Sequence, residues 1–223
     1  MLHNSVLETV LYIEKEDEKM ANRIEGYDEK LFEFAQKEFL EKGYNDASLR
    51  TIARAAGVST STIYTRFGDK EGMFKYLISP TEKLPCYLEN ALEEFFSMNV
   101  NDQNKNYHDR GNAGFDHIMD MIYEDYPAYK LLVSCAPGET YKEYLEKITE
   151  IDVRYTLRFL KENNSRALRE NHINEGFCHV VSTAFYSALF HCVEHDMERD
   201  EAARYIKELR GFYGRGWQEF FKE

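Results

Sequence analysis

The stretch GVSTSTIYTRFGDKE, residues 57–71, places hydroxyl groups, one tyrosine and one arginine within about two helical turns. Hydroxyl groups donate hydrogen bonds to phosphate oxygens and to base edges, and arginine adds a positive charge. Backbone N–H groups at the start of a helix also attract anions. These residue types in this order therefore indicate a surface that contacts nucleic acid.

Charge is distributed unevenly along the chain, which carries 28 Lys and Arg against 40 Asp and Glu, a net charge of −12. Residues 22–79 hold nine basic and nine acidic side chains, whereas residues 80–223 hold 17 basic and 26 acidic ones. A phosphate group senses charges within a Debye length of about 8 Å. We therefore expect a local surface within residues 22–79, and not a basic tail, to make the contact.

The composition predicts a globular cytoplasmic protein, with 43% hydrophobic and 30% charged residues. No apolar run approaches the roughly 20 residues that a membrane span needs, and the start of the chain lacks the features of a signal peptide. Cys86, Cys135, Cys178 and Cys192 are scattered without metal-ligand spacing, which is typical of reduced thiols. We expect no membrane partner, no cofactor and no bound metal.

Apolar residues recur at helical spacing and almost never alternate, which predicts an all-α fold. The first helix is expected over residues 27–42, with Gly43 as its stop. Ser48, Ser59 and Asp69 have side chains suited to N-caps of three further helices that end near residues 56, 67 and 78.

The second and third of these helices flank Gly57 and have the length and spacing of a helix-turn-helix. Such helices cross closely only if their inner faces are small and apolar, and the second helix must present short polar side chains outward to enter the major groove. The residues expected on the inner faces are Ile52, Ala53, Ala56, Val58 and Ile63.

Residues 28–75 resemble the DNA-binding domain of the tetracycline-repressor (TetR) family of bacterial regulators. The shared features are Gly43–Tyr44 after the first helix, the run SLRTIARAAGVS, and the pattern T-I-Y-x-x-F-x-x-K-E that ends in Lys70 and Glu71. The resemblance covers about a fifth of the chain. It implies a three-helix DNA-binding domain followed by a helical ligand-binding and dimerisation domain.

The resemblance also implies residue roles. Tyr64 and Lys70 occupy positions that grip the DNA backbone; the alternative is a core aromatic residue and a solvated charge. Positions that face bases or nearby phosphates hold Arg50, Thr60, Ser61, Thr62, Thr65 and Arg66. Where the best-known member has an aromatic residue and a histidine after the shared tyrosine, this chain has Thr65 and Arg66, so the operator sequence of that member cannot be assigned to this chain.

The predicted organisation has three parts. Residues 1–21 form an N-terminal extension with a possible helix, residues 22–79 form the DNA-binding domain, and residues 80–223 form the second domain. Helices of the second domain are expected over residues 82–98, 114–123, 126–135, 140–163, 174–197 and 200–221, and the polar run 99–112 is expected to be a loop.

The last two predicted helices indicate a homodimer. Helix 200–221 carries a heptad seam, and helix 174–197 is apolar nearly all round and must be covered on both sides. The alternative is a core helix of a single chain, but the resemblance implies that these helices pair between two subunits. The expected interface residues are Ala184, Ala188, His191, Ile206, Leu209, Tyr213, Gly216 and Phe220.

A small-molecule pocket is the least specific expectation, because aromatic residues at helical spacing are also typical of a plain core. The candidate lining residues are Phe95, Phe115, Met119, Ile122, Tyr126, Tyr155, Phe159 and Phe185. His191 and His195 share a helix face that could chelate a transition metal, but no third ligand is evident. The acidic group of Asp116, Asp120, Glu124 and Asp125 is typical of a solvated face.

Together these features predict a transcriptional repressor that a small molecule of unknown identity releases from a palindromic operator in double-stranded DNA. The alternative is a metal- or redox-responsive DNA-binding regulator. An enzyme is not expected, because the chain has no G-x-S-x-G, H-E-x-x-H, Walker or G-x-G-x-x-G motif.

Overall fold

In a computed structural model of the chain, residues 28–221 are described, and they form helices joined by short turns, with no strand among them. This confirms the all-α prediction. The chain divides into two compact units, the first ending at Leu77 and the second beginning at Ile78. The predicted extension 1–21 lies outside the described residues.

The first unit consists of α1 over residues 28–46, α2 over Leu49–Ala56, α3 over Thr60–Phe67 and most of α4, Lys70–Ile78. Its core includes Phe39 and Phe74, whose rings meet edge to face with centroids 5.1 Å apart. Gly43 has a positive φ of 74°, as a helix stop requires, but a helical turn continues past it to residue 46. The first helix therefore ends four residues later than predicted.

The three predicted N-caps are confirmed. Ser48 Oγ accepts a hydrogen bond from the N–H of Thr51 at 3.4 Å, and Ser59 Oγ accepts one from the N–H of Thr62 at 3.1 Å. Asp69 Oδ1 accepts from the N–H of Gly72 at 2.8 Å. Each cap satisfies a backbone donor that has no partner within its helix, so these side chains define where α2, α3 and α4 begin.

The second unit begins with a 3₁₀ turn, Ser79–Glu82, followed by seven helices among the described residues. They are α5 (Lys83–Ser97), α6 (Val100–Glu124), α7 (Tyr126–Cys135), α8 (Thr140–Glu162), α9 (Arg166–Arg169), α10 (Glu175–Glu194) and α11 (Arg199–Phe221). The centre of this unit is α10, which packs along α8 and α7, while α5 packs against α8 and α6. Five predicted helices are found within a few residues of their expected bounds, and the short α9 was not predicted.

The prediction of a loop over residues 99–112 is wrong, because α6 includes residues 100–112. Asn99 caps the helix by accepting from the N–H of Asp102 at 3.0 Å, and Gln103 is buried with its amide donating to the carbonyl of Met98 at 3.0 Å. Asn104 donates to Asn163 at the end of α8, at 2.9 Å. Polar contacts stabilise this part of α6. Because it has no apolar stripe, its sequence does not show the pattern that predicts a helix.

Among the described helices, α10 alone is long and apolar enough to cross a membrane by length and composition, contrary to the expectation that no such run exists. Its apolar character is explained within the unit, because Tyr186, Leu189 and Phe190 are almost fully buried in the core. A helix that packs on several sides needs few polar positions.

Candidate nucleic-acid interface

The helix-turn-helix is formed by α2, the turn at Gly57 and α3. Gly57 has a φ of 72°, and the N–H of Val58 donates to the carbonyl of Ala53 at 2.9 Å, which closes α2 with the hydrogen-bond pattern of a left-handed C-terminal cap. Of the five residues predicted for the inner faces, Ile52, Ala53, Ala56 and Ile63 are buried and Val58 is half-buried.

Helix α3 buries a single side chain, Ile63, and Phe67 is half-buried against the rings of Phe32 and Tyr76. The side chains of Ser61, Thr62 and Thr65 are exposed, and Thr60 is half-buried. These hydroxyl side chains form the outward polar surface of α3. It has the short polar side chains that groove entry requires.

Hydroxyl groups at the start of α3 are linked to one another. Ser59 Oγ lies 2.7 Å from Ser61 Oγ and 2.8 Å from Thr62 Oγ1. A hydroxyl has one donor and two acceptor sites, so this group can rotate to donate to an external acceptor while keeping part of its own network. The first turn of α3 is therefore ordered before any contact is made.

A concavity of about 400 Å³ lies between α2 and the N-terminus of α3. Its lining includes Arg50 and Arg54, which are four residues apart and exposed, together with Ser48, Ser59 and Thr60. Two guanidinium groups beside the N–H groups of a helix start favour an anion such as a DNA phosphate. Arg54 was missed as a site residue, although its spacing from Arg50 was the signal.

Tyr64 is 52% exposed, so the alternative reading of it as a core aromatic residue is wrong. Its ring and hydroxyl group lie on the exposed part of α3, where a hydroxyl can donate to a phosphate oxygen. The role of Tyr64 in DNA binding stays a prediction, and its position is compatible with that role.

Arg66 contacts its own unit. Its guanidinium pairs with Asp28 of α1 and lies 5.3 Å from the ring centroid of Phe32 and 5.2 Å from that of Phe67. The hydrogen bond from Arg66 to Asp28 raises the pKa of Arg66. These contacts tie α3 to α1, and a base contact by Arg66 would have to compete with them.

Lys70 is also held by backbone groups. Its ammonium donates to the carbonyl of Asn45 at 2.8 Å and to that of Ala47 at 3.3 Å, and lies 4.9 Å from the ring centroid of Tyr44. An ammonium has three donors, so one N–H is left for an external acceptor. Lys70 therefore links α4 to the end of α1 and the turn after it, and its contact with the DNA backbone stays a prediction.

The eight residues predicted to line a pocket make contacts at several places in the second unit, and their role as a pocket lining stays a prediction. Phe115 and Phe185 meet with centroids 5.2 Å apart where α6 approaches α10, whereas Phe95 and Phe159 lie 6.4 Å apart between α5 and α8. Met119 and Ile122 are buried, Tyr155 donates to Glu89 and Glu93, and Tyr126 donates to Asp196. None of the eight lines the concavity described above or a second one, of about 790 Å³, on α8 beside α10.

The predicted dimer surface needs correction. Ile206 is 2% exposed and faces the core of its own chain, and Phe220 packs against the cluster that contains Val153 and Leu160. The ring of Tyr213 lies 5.2 Å from that of Phe185. The heptad seam of α11 is therefore largely occupied within one chain.

Other apolar side chains on α10 and α11 point to solvent. Phe212 is 70% exposed, Val180 67% and Phe177 37%, and none of the three is among the interface residues predicted from the sequence. Ala184 and Gly216 are exposed, while Ala188, His191 and Leu209 are half-buried.

Three of the four acidic side chains on α6 and the following turn pair with basic side chains. Lys83 Nζ lies 2.7 Å from Asp125 Oδ2, Arg210 lies 3.9 Å from Asp116, and Arg199 pairs with Asp120. These pairs offset part of the negative charge that would attract a cationic ligand.

Comparison with known proteins finds a family model that matches part of the chain. Residues 31–77 match the bacterial regulatory proteins of the tetR family. No curated protein matches the chain.

Solved structures share the fold at low identity. NalD, the secondary repressor of the MexAB-OprM multidrug efflux pump in Pseudomonas aeruginosa, is 18% identical, with a TM-score of 0.55 over 87% of this chain and 97% of its own. The fatty acid degradation regulator FadR from Bacillus halodurans is 18% identical, with a TM-score of 0.50 over 82% of this chain and 95% of its own. The family match covers the helix-turn-helix, and the all-helical fold extends beyond it. Residues 31–77 therefore resemble the helix-turn-helix segment of the tetR family, and the described residues share the fold of these solved structures.

Proposed function

We propose that the chain is a homodimeric repressor that binds a palindromic operator through α3 and is released from it by a small molecule. The observation that carries this proposal is the exposed hydroxyl face of α3 beside the concavity that holds Arg50 and Arg54. Residues 22–79 would form the DNA-binding domain and residues 80–223 the ligand-binding and dimerisation domain, acting in the cytoplasm.

Within α3, we assign base contacts to Thr60, Ser61, Thr62 and Thr65, whose side chains are short and outward. Arg50, Arg54, Tyr64 and Lys70 are assigned to phosphates, because cations and hydroxyls contact the backbone in most protein–DNA interfaces. Arg66 is assigned a positioning role, since its guanidinium is already bound by Asp28 and two rings.

A dimer is supported by the exposed apolar side chains of α10 and α11. Phe177, Val180 and Phe212 are large and unusually exposed for a folded chain. A single eight-residue recognition helix covers few base pairs, whereas two copies about 34 Å apart read both halves of a palindrome.

The redox alternative has little chemical support among the cysteines. Cys135, Cys178 and Cys192 are buried, and burial raises the pKa of Cys178 and of Cys192 to about 11. A reactive thiol needs a lowered pKa and exposure, and only Cys86 is exposed.

Selection of bound sequences from a random duplex pool tests the proposal, with a palindromic consensus expected. On that duplex, Arg54→Ala should reduce the magnitude of the slope of log affinity against log salt by about 2 per dimer, because two phosphate contacts are lost. Arg166→Ala, an exposed arginine of α9, is the matched control. Absence of any preferred sequence, or an unchanged slope for Arg54→Ala, contradicts the proposal.

Release by an inducer is tested on the same operator. A compound that weakens operator binding must itself bind the free dimer more tightly than the DNA-bound dimer, by the same factor. A near-complete switch needs about 5.5 kcal/mol of differential affinity. Failure of every compound that stabilises the free protein to weaken operator binding would count against ligand control but not against DNA binding.

A further inference from the structure

Three potential metal ligands meet at the C-terminal end of α10. His191 and Glu194 lie in the last turn of the helix, and His195 is its C-cap. The imidazole centroids of His191 and His195 are 4.0 Å apart, and His191 Nδ1 lies 3.5 Å from Glu194 Oε2. One donor atom from each residue lies within 4.8 Å of the other two. Glu194 is the third ligand that the sequence did not make evident.

The spacing explains why these side chains meet. Residues three and four apart lie on the same side of a helix, which brings Glu194 and His195 each to His191, and two histidines four apart on a helix are a spacing that zinc-binding helices use. In those helices the glutamate is not a ligand, so the inclusion of Glu194 rests on the distances given above. Zinc bonds to nitrogen and oxygen at about 2.0–2.2 Å, which places tetrahedral ligands about 3.4 Å apart. Glu194 and His195 are exposed and His191 is half-buried, so rotation of their side chains can draw the donor atoms together.

The local charge is compatible with a bound metal ion. A cation held by two imidazoles and one carboxylate shares its charge among three ligands. The C-terminus of a helix also favours a cation. Lys130 already donates to the carbonyls of Val193 and Glu194 and to Asp196, so its charge is directed at the backbone end of the helix and at Asp196.

We propose that His191, Glu194 and His195 form a binding site for a divalent first-row transition metal of the zinc class, with the remaining coordination position open to water. Imidazole ligands select zinc, nickel, cobalt or copper over magnesium and calcium. The site does not depend on the proposed repressor function. It continues the exposed stripe of Val180 and Ala184 along α10, so a bound metal would lie next to the surface proposed to pair two chains.

Titration of the untagged full chain with Zn²⁺ by calorimetry, after removal of metal with a chelator, tests the site. We expect one saturable equivalent per chain, and at least a roughly tenfold loss of affinity in His191→Ala and in His195→Ala. His179→Ala is the matched control, because His179 lies on the same helix but pairs with Glu146. Co²⁺ absorption provides a second readout, since histidine ligation changes its visible spectrum.

The results separate clearly. Binding that is lost in the two variants, with unchanged circular dichroism and unchanged binding by His179→Ala, supports the site. Absence of saturable Zn²⁺ binding by the parent chain overturns it, as does equal affinity in all variants. Operator binding is measured separately, so failure of the metal site leaves the DNA-binding proposal standing.

Discussion

The helices of the two units differ in which of their side chains are buried. In the first unit, α2, α3 and α4 are eight or nine residues long and begin at side-chain caps, and α3 buries only Ile63. In the second unit, long helices such as α8 and α10 bury residues on several faces, including polar ones such as Thr149 and Ser182. The first unit therefore exposes its candidate DNA-binding side chains, whereas the second buries polar side chains such as Thr149 and Ser182.

The difference has a physical cause. In a capped helix with one apolar stripe, nearby residues determine where the helix begins, where it ends and which face is buried. The polar half of α6 contains no such stripe and depends on partners 59 positions away, as Asn104 and Asn163 illustrate. Local rules describe the first unit well and the second only in part.

The largest expected effect compares helical glycines in the two units. Gly72 of α4 has no room for a side chain, because a Cβ there would lie 1.9 Å from the carbonyl oxygen of Phe67. Gly72→Ala should therefore destabilise the first unit by about 1–3 kcal/mol through steric overlap, which exceeds the gain of about 1 kcal/mol in helix propensity. Hydrogen exchange of the α4 amides measures this change.

Gly111 of α6 is the control in the second unit, since nothing lies within 4 Å of the position of its Cβ. Gly111→Ala should stabilise α6 by up to about 1 kcal/mol, because alanine is the better helix former. If the two substitutions change stability in the same direction, the contrast between a crowded and an open glycine is wrong.

A smaller effect tests whether the polar half of α6 depends on its cap. Asn99→Ala removes the acceptor for the N–H of Asp102 and should destabilise the second unit by about 1 kcal/mol. Asn101→Ala, at an exposed position two residues later, should change the free energy of unfolding by less than about 0.5 kcal/mol. Urea unfolding of both variants measures the difference, and equal losses would remove the special role of Asn99.

The smallest effect concerns Asp152, whose carboxyl group lies against α10 although part of the residue is exposed. Ser182 Oγ donates to Asp152 Oδ2 at 2.5 Å, but burial outweighs this hydrogen bond and raises the pKa of Asp152 above its usual 3.8. The folded state therefore favours the protonated carboxyl, and this contribution to stability is full below pH 3.8 and is lost as the pH rises through the raised pKa.

Asp152→Asn isolates that contribution, because the amide does not titrate. The parent chain should lose stability relative to the variant as the pH is raised from about 4, as measured by the difference in free energy of unfolding. A difference that stays constant with pH would show that Asp152 is solvated in the folded chain.

The sequence alone determined the all-α class, the three N-caps, the turn at Gly57 and the type of the DNA-binding domain. These features depend on neighbouring residues, such as Ser59 and the Thr62 N–H that it caps, so they can be recognised without a structure.

Only the tertiary structure shows which residues each side chain contacts. A heptad seam specifies a stripe but not what covers it, so Ile206 faces its own core while Phe212 faces solvent. Likewise, the sequence does not show that Arg66 pairs with Asp28, 38 residues away, or that Lys70 donates to the carbonyl of Asn45, 25 residues away. Such partners are brought together by packing between helices, and spacing along the chain does not encode them.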